Sequence, residues 1–449
     1  MKAAGLHNVS ARIADCAPVR PVGRVVAAAR GTFEVDGLAG SARLGDLVEV
    51  RLRGGRCLGG EVVGFSGDHL TVLGDGDPQG LANGDRVVLL GPCRLSPDDS
   101  WIGRMIDPTG LALEGPALLP GDAPRWLQAG PPSPSKRRGF GTRLETGLAV
   151  FNTMLPLVRG QRVGLFAGSG VGKSSLLAML AQDVAADVVV IALVGERGRE
   201  VRDFVHNVLG PAGMARSVVV AATSDRSPVI RRRCLPAAMT IAEHFRDAGA
   251  HVLLLVDSVT RFAEAHREVA FAAGESGALR GYPPSVAQAI AGLCERAGPG
   301  APGMGDITAV LSVLVAGADM DEPVADMLRG VLEGHVVLDR AIAERGRFPP
   351  IDVLKSVSRA LPKAATPEEN ALITRARGQL GAYARAELMI QAGLYETGTD
   401  RVIDDAIDAF PRLDAFVGER AHDGIAASFK MLREACNGNS EAPGVAAAP

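Results

Sequence analysis

Short, mostly apolar runs recur about every ten residues between positions 22 and 91, with turns containing Gly or Asp between them. The runs span residues 24–27, 32–35, 46–52, 60–65, 69–73 and 85–90. Six short strands at this spacing are typical of all-β architecture. The pattern therefore predicts a small β-barrel or β-sandwich in this part of the chain.

Longer apolar runs alternate with helix-like segments between about residues 146 and 360. The predicted strands are 162–167, 188–194, 218–222, 252–256 and 307–315. They are apolar almost throughout, as strands buried on both faces of a sheet should be. Helices between successive strands imply right-handed crossovers, so the pattern predicts an α/β fold with a parallel sheet.

The segments around these two regions have other patterns. Residues 92–145 are rich in Pro and Gly, carry the basic run 136–138, and are predicted to be a connector. After residue 361 the pattern is helical, and the sequence at 366–369, Thr-Pro-Glu-Glu, is a capping box with Pro at the first helical position. Residues 437–449 are rich in Gly, Ala and Pro and are predicted to be disordered.

The composition narrows the class of protein. Of 449 residues, 47% are hydrophobic and 22% charged, and the net charge of −3 disfavours a nucleic-acid coat or a polybasic membrane anchor. Six scattered cysteines without a C-x-x-C pair predict reduced thiols rather than a disulfide or zinc framework. The reduced thiols indicate a cytoplasmic protein. No apolar run is long enough for a transmembrane helix, and the first 20 residues lack the apolar core of a signal peptide.

Residues 167–174 read Ala-Gly-Ser-Gly-Val-Gly-Lys-Ser, between a predicted strand and a helix-like segment. This context is the one that a phosphate-binding loop requires, although Ala167 stands where the common pattern has Gly. The glycines let backbone N–H groups face an anion at the helix N-terminus. Lys173 is expected to reach the β- and γ-phosphates of ATP, and the Ser174 hydroxyl to bind Mg²⁺. The predicted ATP-binding residues are Gly168, Ser169, Gly170, Val171, Gly172, Lys173, Ser174 and Ser175.

Two carboxylates follow buried strands. The apolar run 251–256 leads into Asp257, a Walker B pattern that predicts a carboxylate holding Mg²⁺ through water. The strand at 188–194 is followed by Glu196, which is the best-placed candidate to orient and deprotonate the attacking water. The alternative for Glu196 is a surface acid paired with Arg197 or Arg199.

Phosphoryl transfer also benefits from a guanidinium that neutralises developing charge, often supplied by a neighbouring subunit. Arg359 follows the strand-like segment 351–358. With 48 Lys and Arg residues in the chain, this placement alone does not select Arg359 over a solvated surface arginine.

Seven motifs, in this order, resemble those of type III secretion ATPases, above all the flagellar export ATPases. They are Phe-Ala-Gly-Ser-Gly-Val-Gly-Lys-Ser (166–174), Gly-Glu-Arg-Gly-Arg-Glu-Val (195–201), Asp-Ser-Val-Thr-Arg-Phe-Ala (257–263), Gly-Tyr-Pro-Pro-Ser-Val (281–286), Glu-Arg-Ala-Gly-Pro-Gly (295–300), Asp-Glu-Pro-Val-Ala-Asp (321–326) and Ser-Val-Ser-Arg (356–359). The resemblance covers about residues 20–435 and extends to the rotary ATP synthase subunits. The same motifs barely separate the flagellar branch from the virulence-injectisome branch.

The resemblance implies a β-barrel over 21–91, a RecA-like ATPase domain with its leading connector over 92–360, and a helical domain over 361–436. It implies a cytoplasmic homohexamer with ATP sites between subunits, placed at the inner-membrane export gate and serving export chaperones and flagellar substrates. Residues 1–20 would contact a regulatory, stator-like protein and the membrane surface.

The same resemblance assigns roles to particular residues. Glu196 takes the place of the catalytic carboxylate, Arg197 that of its phosphate-contacting neighbour, and Arg359 that of the arginine finger. Non-catalytic synthase subunits carry Gln where this chain has Glu196, so an active enzyme is expected. Ile373 falls near the position at which the synthase subunit offers an aromatic ring to adenine.

Other classes of protein fit less well. A hexameric nucleic-acid translocase resembling the transcription-termination helicase shares the core and a β-barrel, but Phe33 and Phe65 are the only aromatic residues in 22–91. Glu196 disfavours a structural subunit without turnover, and the lack of an Asn-Lys-x-Asp motif disfavours a switch GTPase. The sequence thus predicts a protein-secreting ATPase without a nucleic-acid partner, with the injectisome ATPase as the alternative.

Overall fold

The structure, a computed structural model, describes residues 19–29, 31–315 and 322–437. Residues 1–18 of the predicted N-terminal segment and 438–449 of the predicted disordered tail lie outside this part of the chain, as does the first residue of the motif at 321–326. What the sequence predicts for them stays a prediction.

Six antiparallel strands close into a barrel in the first part of the chain. They are β1 (Val22–Ala28), β2 (Thr32–Asp36), β3 (Asp46–Arg51), β4 (Cys57–Ser66), β5 (His69–Gly74) and β6 (Arg86–Pro92). Their order is β1-β2-β5-β4-β3-β6, and β1 closes the ring by pairing with both β2 and β6. Phe33, Val50 and Leu70 fill the interior because side chains along a strand point alternately inward and outward. Of the two predicted alternatives, the barrel is the correct one.

The α/β part is built on one large sheet. The remaining strands of the chain are β7 (Arg94–Leu95), β8 (Met105–Ile106), β9 (Arg125–Trp126), β10 (Gly147–Leu148), β11 (Arg162–Ala167), β12 (Val188–Glu196), β13 (Ser217–Thr223), β14 (His251–Asp257), β15 (Gly298–Pro299), β16 (Asp306–Leu314), β17 (Gly334–Leu338), β18 (Ile351–Ser358) and β19 (Arg420–Ala421). The sheet has the order β18-β17-β11-β16-β14-β12-β13-β8, with β15 paired to β16. The five strands predicted from the apolar runs are its parallel, buried centre, so the α/β prediction is confirmed.

The sheet is wider than predicted and not wholly parallel. The connector supplies β8, which lies parallel to β13 at one edge. At the other edge β18 runs antiparallel to β17, which itself pairs with β11. As a result, β18 carries the chain back towards the amino ends of β11 and β17.

Helices cover both faces of the sheet and form the end of the described chain. They span Ala149–Asn152, Lys173–Asp183, Gly198–Asp203, Gly210–Met214, Pro228–Asp247, Val259–Ala272, Pro284–Arg296, Pro323–Val331, Arg340–Glu344, Pro367–Gln391, Arg401–Gly418 and Gly424–Asn437, with a π-helical turn over Phe204–Leu209. The predicted capping box is present, since Thr366 Oγ1 accepts from the Glu369 N–H at 3.2 Å and Glu369 Oε2 from the Thr366 N–H at 2.9 Å. In the part of the chain that the structure describes, we find no helix long and apolar enough to cross a membrane.

The barrel is fixed to the α/β part of the chain by buried charge and apolar contact. Glu61 on β4 accepts hydrogen bonds from Arg232 and from Arg233, whose Nη2 lies 2.7 Å from Glu61 Oε2. Beside this cluster, Leu73 of β5 packs against Val229. Each buried charge therefore has a partner, as a buried ion pair requires. The contact falls at the start of the helix Pro228–Asp247.

Candidate nucleotide site

The carboxyl ends of β11, β12 and β14 meet at one edge of the sheet, because these strands are parallel within one sheet. The register sets Leu193 of β12 opposite Asp257, and Glu196 ends the same strand. A cavity of about 640 Å³ opens at this edge. It is lined by the predicted residues Gly168, Ser169, Gly170, Gly172, Lys173, Ser174, Ser175, Glu196, Arg197 and Asp257. Val171 does not line the cavity, since its side chain is buried in the core.

The phosphate-binding loop has a backbone that only glycine adopts easily. Gly170 and Gly172 have φ values of +74° and +92°, in the left-handed region. The helix Lys173–Asp183 begins directly after Gly172. Its free N–H groups and the positive end of its dipole therefore face the cavity, which suits a phosphate.

Lys173 and Asp257 are both buried and in contact, with Lys173 Nζ donating to Asp257 Oδ1. Ser312 Oγ also donates to this oxygen, at 3.2 Å. The hydroxyl of Ser174 is exposed to the same cavity. One carboxylate and one hydroxyl are oxygen ligands that suit Mg²⁺, which takes few protein ligands and completes its shell with phosphates and water. Within the described ranges no group of three or more His, Cys, Asp or Glu could hold a metal ion by itself.

Glu196 has the electrostatics of a general base. Its burial raises the pKa of the carboxyl to about 7; the nearby Asp257 also raises this pKa, and Lys173 opposes both. A base with a pKa near the working pH combines an ionised form with good proton affinity. The Arg197 guanidinium lies 3.5 Å from Glu200. The ion pair with Arg197, which was one alternative for Glu196, is therefore made by Glu200.

Sequence reasoning missed two further cations that line the cavity, Arg231 and Arg261. Arg261 lies on the helix Val259–Ala272, lines the cavity and donates to Glu264 at 3.0 Å. Gly195 leaves room for it, because a Cβ at Gly195 would lie 3.3 Å from the Arg261 Cβ. The available signal was the spacing from Asp257, since four residues place Arg261 one helical turn beyond the strand end.

The aromatic residue beside the loop is Phe348. Its ring lies 3.9 Å from where a Cβ of Gly172 would stand, and 57% of the residue is exposed. Ile373, which falls in sequence near the aromatic position of the synthase subunit, is only 3% exposed and belongs to the core. An aromatic before two prolines, at 348–350, was the signal in the sequence.

The structure does not bring Arg359 into this cavity. Its side chain is exposed, and its N–H donates to the carbonyl of Glu333 at 3.0 Å. Glu333 in turn binds Arg162, the first residue of β11, with 2.9 Å between Arg162 Nε and Glu333 Oε1. The phosphate-binding loop follows the other end of β11, and a strand of this length separates its ends by roughly 15–20 Å. Arg359 thus lies at the amino ends of the parallel strands, whereas Lys173 of the same chain lies at their carboxyl ends.

The phosphate-binding loop follows the carboxyl end of a strand in a mostly parallel sheet, and two neighbouring strands end in carboxylates. These features define a P-loop nucleotide hydrolase with a RecA-like core. Residues 147–358 match the ATP synthase alpha/beta family, nucleotide-binding domain, and residues 365–434 match the T3SS EscN ATPase C-terminal domain. The chain belongs to this family of ATPases, in the branch of the flagellum-specific and type III secretion enzymes.

Individual relatives are similar to this chain in sequence or in structure over most of its length. It is 45% identical to the flagellum-specific ATP synthase of Rhizobium meliloti, over 95% of this chain and 92% of that protein. It is 41% identical to the type 3 secretion system ATPase of Xanthomonas euvesicatoria, over 91% of this chain and 92% of that one. The assembled ATPase EscN of enteropathogenic E. coli superposes with a TM-score of 0.84 at 34% identity, covering 92% of this chain and 100% of EscN. EscN has also been solved in complex with its central stalk EscO, with a TM-score of 0.83 to this chain at 34% identity, over 92% and 100% of the two chains.

Proposed function

We propose that this chain is the Mg²⁺-dependent ATPase of a flagellar protein export apparatus, which hydrolyses ATP at the subunit interfaces of a homohexamer. The observation that carries the proposal is the convergence of Lys173, Glu196 and Asp257 on one cavity at the sheet edge. The similarity to a flagellum-specific relative over nearly the whole chain supports the flagellar branch. The proposed location is the cytoplasm, at the inner-membrane export gate.

Each residue at the cavity has a proposed task. Lys173 and Arg261 bind phosphate oxygens, while Asp257 and Ser174 hold Mg²⁺, which supplies charge neutralisation on the phosphates when bound. Glu196 takes the proton of the attacking water and orients it for attack on the γ-phosphorus. Phe348 stacks on the adenine ring, since an exposed aromatic beside the loop offers a face for a base.

The site is incomplete within one chain. Arg359 lies at the amino ends of the strands, away from its own subunit's cavity, so we propose that it reaches the γ-phosphate bound by the next subunit. Arg197, which lines the cavity beside Glu196, contacts the nucleotide bound by its own subunit. This arrangement requires the ring, and EscN, which is similar in fold and sequence, has been solved as an assembled ATPase. A regulatory protein at residues 1–20, the export gate, export chaperones and flagellar substrates are the proposed partners.

The flagellar role has a direct genetic test. Replacing the chromosomal gene by the Glu196→Gln variant should abolish swimming and stop the release of flagellar proteins into the medium, while growth continues as before. Both are measured on soft agar and by analysis of culture supernatants. Lost effector secretion with intact swimming would assign the chain to the virulence injectisome instead.

One feature of the barrel disfavours the nucleic-acid translocase. Of the two aromatic residues in 22–91, Phe33 is buried inside the barrel, which leaves Phe65 to stack on a base. Strands that bind single-stranded nucleic acid combine several aromatic platforms with a basic groove. An ATPase rate that rises on addition of RNA would favour that alternative.

A pH dependence is expected from Glu196. With Mg²⁺ in excess, kcat/KM for ATP should fall as the pH is lowered through about 7, where the carboxylate with its raised pKa takes up a proton. Below that pH the fall should be about tenfold per pH unit, because only the ionised base is active. Glu200 also raises this pKa, so Glu200→Gln should move the midpoint to lower pH. A midpoint that is the same in both proteins would contradict the coupling of the two carboxyls.

A further inference from the structure

The backbone at Arg359 is fixed by hydrogen bonds to distant parts of the chain. The Arg359 N–H donates to the carbonyl oxygen of Glu333 at 3.0 Å, and Nε2 of the buried Gln161 donates to the same oxygen at 2.8 Å. One residue earlier, Ser358 Oγ donates to the carbonyl oxygen of Pro156 at 2.6 Å. Arg359 and the residue before it are therefore both anchored, directly or through Glu333, to the chain just ahead of β11.

An ion pair holds Glu333, and with it the carbonyl oxygen that binds Arg359. The Glu333 carboxylate accepts hydrogen bonds from the backbone N–H and from Nε of Arg162, both at 2.9 Å. In return, the Glu333 N–H donates to the Arg162 carbonyl oxygen at 2.9 Å. The Arg162 and Glu333 side chains are only 12% and 20% exposed. Because charge-assisted hydrogen bonds are stronger than neutral ones, this pair fixes the position of Glu333 firmly.

The two strands next to Arg359 are in direct backbone contact. Gly334 pairs with Ser358 across β17 and β18. Gly334 has a φ of +149°, and a Cβ there would lie 2.6 Å from the Val357 carbonyl oxygen and 3.2 Å from Ser358 Cα. Only glycine allows two backbones to approach so closely. A shift of Glu333 and Gly334 is therefore passed on to Ser358 and Arg359.

The side chain of Arg359, in contrast, has no partner within the described part of the chain. It is exposed, and no salt bridge or hydrogen bond joins its guanidinium to another described residue. The guanidinium of Arg162 is engaged, since its Nη1 donates to the Cys294 carbonyl oxygen at 3.0 Å and to Glu295 Oε1 at 2.8 Å. A solvated surface arginine gains nothing from a fixed backbone. A guanidinium that must meet a phosphate on another subunit acts only from a defined position.

We propose that Arg162 and Glu333 are positioning residues, whose ion pair fixes the place from which Arg359 reaches the nucleotide bound by the next subunit. The inference rests on the proposed function, in which Arg359 acts across the interface, and adds the residues that aim it. Neither residue lines the nucleotide cavity of its own chain, and each acts through Arg359. Arg162 is also the first residue of β11, which ends at the phosphate-binding loop. One strand therefore connects the loop of a subunit with the arginine that this subunit lends to its neighbour.

Glu333→Gln tests the pair, because the amide keeps the shape of the side chain but loses its charge. Turnover should fall by roughly 10- to 100-fold, since a misplacement of about 1 Å can cost two orders of magnitude. Binding of a fluorescent ATP analogue in the presence of Mg²⁺ should stay at the wild-type level, which also shows that the variant is folded. Glu333→Asp keeps the charge and should lose less turnover than Glu333→Gln. Arg162→Gln removes the other partner and should lose turnover as Glu333→Gln does.

The matched control is Glu369→Gln. Glu369 binds Arg143 at 2.9 Å, and the Arg143 and Glu369 side chains are 13% and 21% exposed, almost as in the tested pair. The hydrogen bonds of the Glu369 carboxylate go to Arg143 and Thr366, not to Arg359. Gln also serves in a capping box, so the start of the helix is kept. This control should keep the wild-type turnover, and a loss as large as that of Glu333→Gln would overturn the proposal.

Mixed rings show whether the pair acts through Arg359. Lys173→Ala subunits lack a working loop but keep a well-placed Arg359, so mixing them with Glu333→Gln subunits should raise activity above that of either pure protein. Mixing Glu333→Gln with Arg359→Ala subunits should give no such gain, because neither supplies a well-placed guanidinium. The double variant Glu333→Gln/Arg359→Ala should be no slower than Arg359→Ala, since changes that act through one group do not add.

The outcomes separate the positioning role from the proposed function. Wild-type turnover by Glu333→Gln, or a further loss of turnover in the double variant, would overturn the positioning role. The same holds if Glu333→Gln gains no activity on mixing with Lys173→Ala while Arg359→Ala does gain. An Arg359→Ala protein that hydrolyses ATP at the wild-type rate would show instead that the proposed role of Arg359 is wrong.

Discussion

Glu196→Gln protein is expected to bind Mg²⁺ and ATP as the wild type does and to hydrolyse ATP more slowly by about 10²- to 10⁴-fold. The amide keeps the shape of the side chain at the end of β12 but cannot take a proton from water. Binding should persist because Lys173, Ser174 and Asp257 remain in place at the cavity.

Two measurements separate binding from chemistry. A fluorescent ATP analogue reports binding, and a single-turnover experiment reports hydrolysis. Lys173→Ala is the contrasting variant, because it removes the ammonium at the phosphates and should lose binding or turnover. Glu434→Gln is the matched control, since it makes the same change at an exposed carboxyl on the helix Gly424–Asn437, which does not line the cavity. Turnover by Glu196→Gln at the wild-type rate would remove Glu196 from the proposed chemistry.

Arg359→Ala is expected to lose about three orders of magnitude or more in turnover, while ATP still binds to the phosphate-binding loop of the same subunit. The reason is geometric. Arg359 follows β18, which runs back to the amino end of the sheet, whereas Lys173 follows the carboxyl end of β11. In the proposed ring, the guanidinium would therefore neutralise developing charge at the site of another subunit.

Mixing two inactive proteins tests this arrangement. Arg359→Ala subunits keep an intact loop and Glu196, and Lys173→Ala subunits keep an intact finger. Some interfaces in mixed rings then combine an intact phosphate-binding loop from one subunit with an intact Arg359 from the next, so activity should reappear. Light scattering shows whether mixed rings form. If they form but stay inactive, either Arg359 acts in its own subunit or all sites of a ring must hydrolyse ATP together. Nucleotide occupancy at the mixed interfaces distinguishes these two explanations.

The local pattern along the chain predicted much of the fold and the centre of the site. The six barrel strands and the five central strands of the sheet were visible because each buried segment has its own run of apolar residues. The placement of Glu196 and Asp257 at one edge followed as well, because parallel strands align their carboxyl ends. Gly170 and Gly172 marked the loop because few other residues adopt its backbone.

Other features depend on which distant segments meet. Phe348 lies beside Gly172 and Ile373 in the core, and neither position follows from spacing. The raised pKa of Glu196 needs both its burial and the nearness of Asp257, which lies on another strand.

By itself, the sequence determined the elements and the chemistry of the loop, because those depend on residues within one turn or strand of each other. Only the tertiary structure decided that Arg359 lies at the other end of the strands from Lys173 and that the connector supplies β8 to the sheet. Such relations arise from strand order and register, which are set by the packing of segments far apart in the chain.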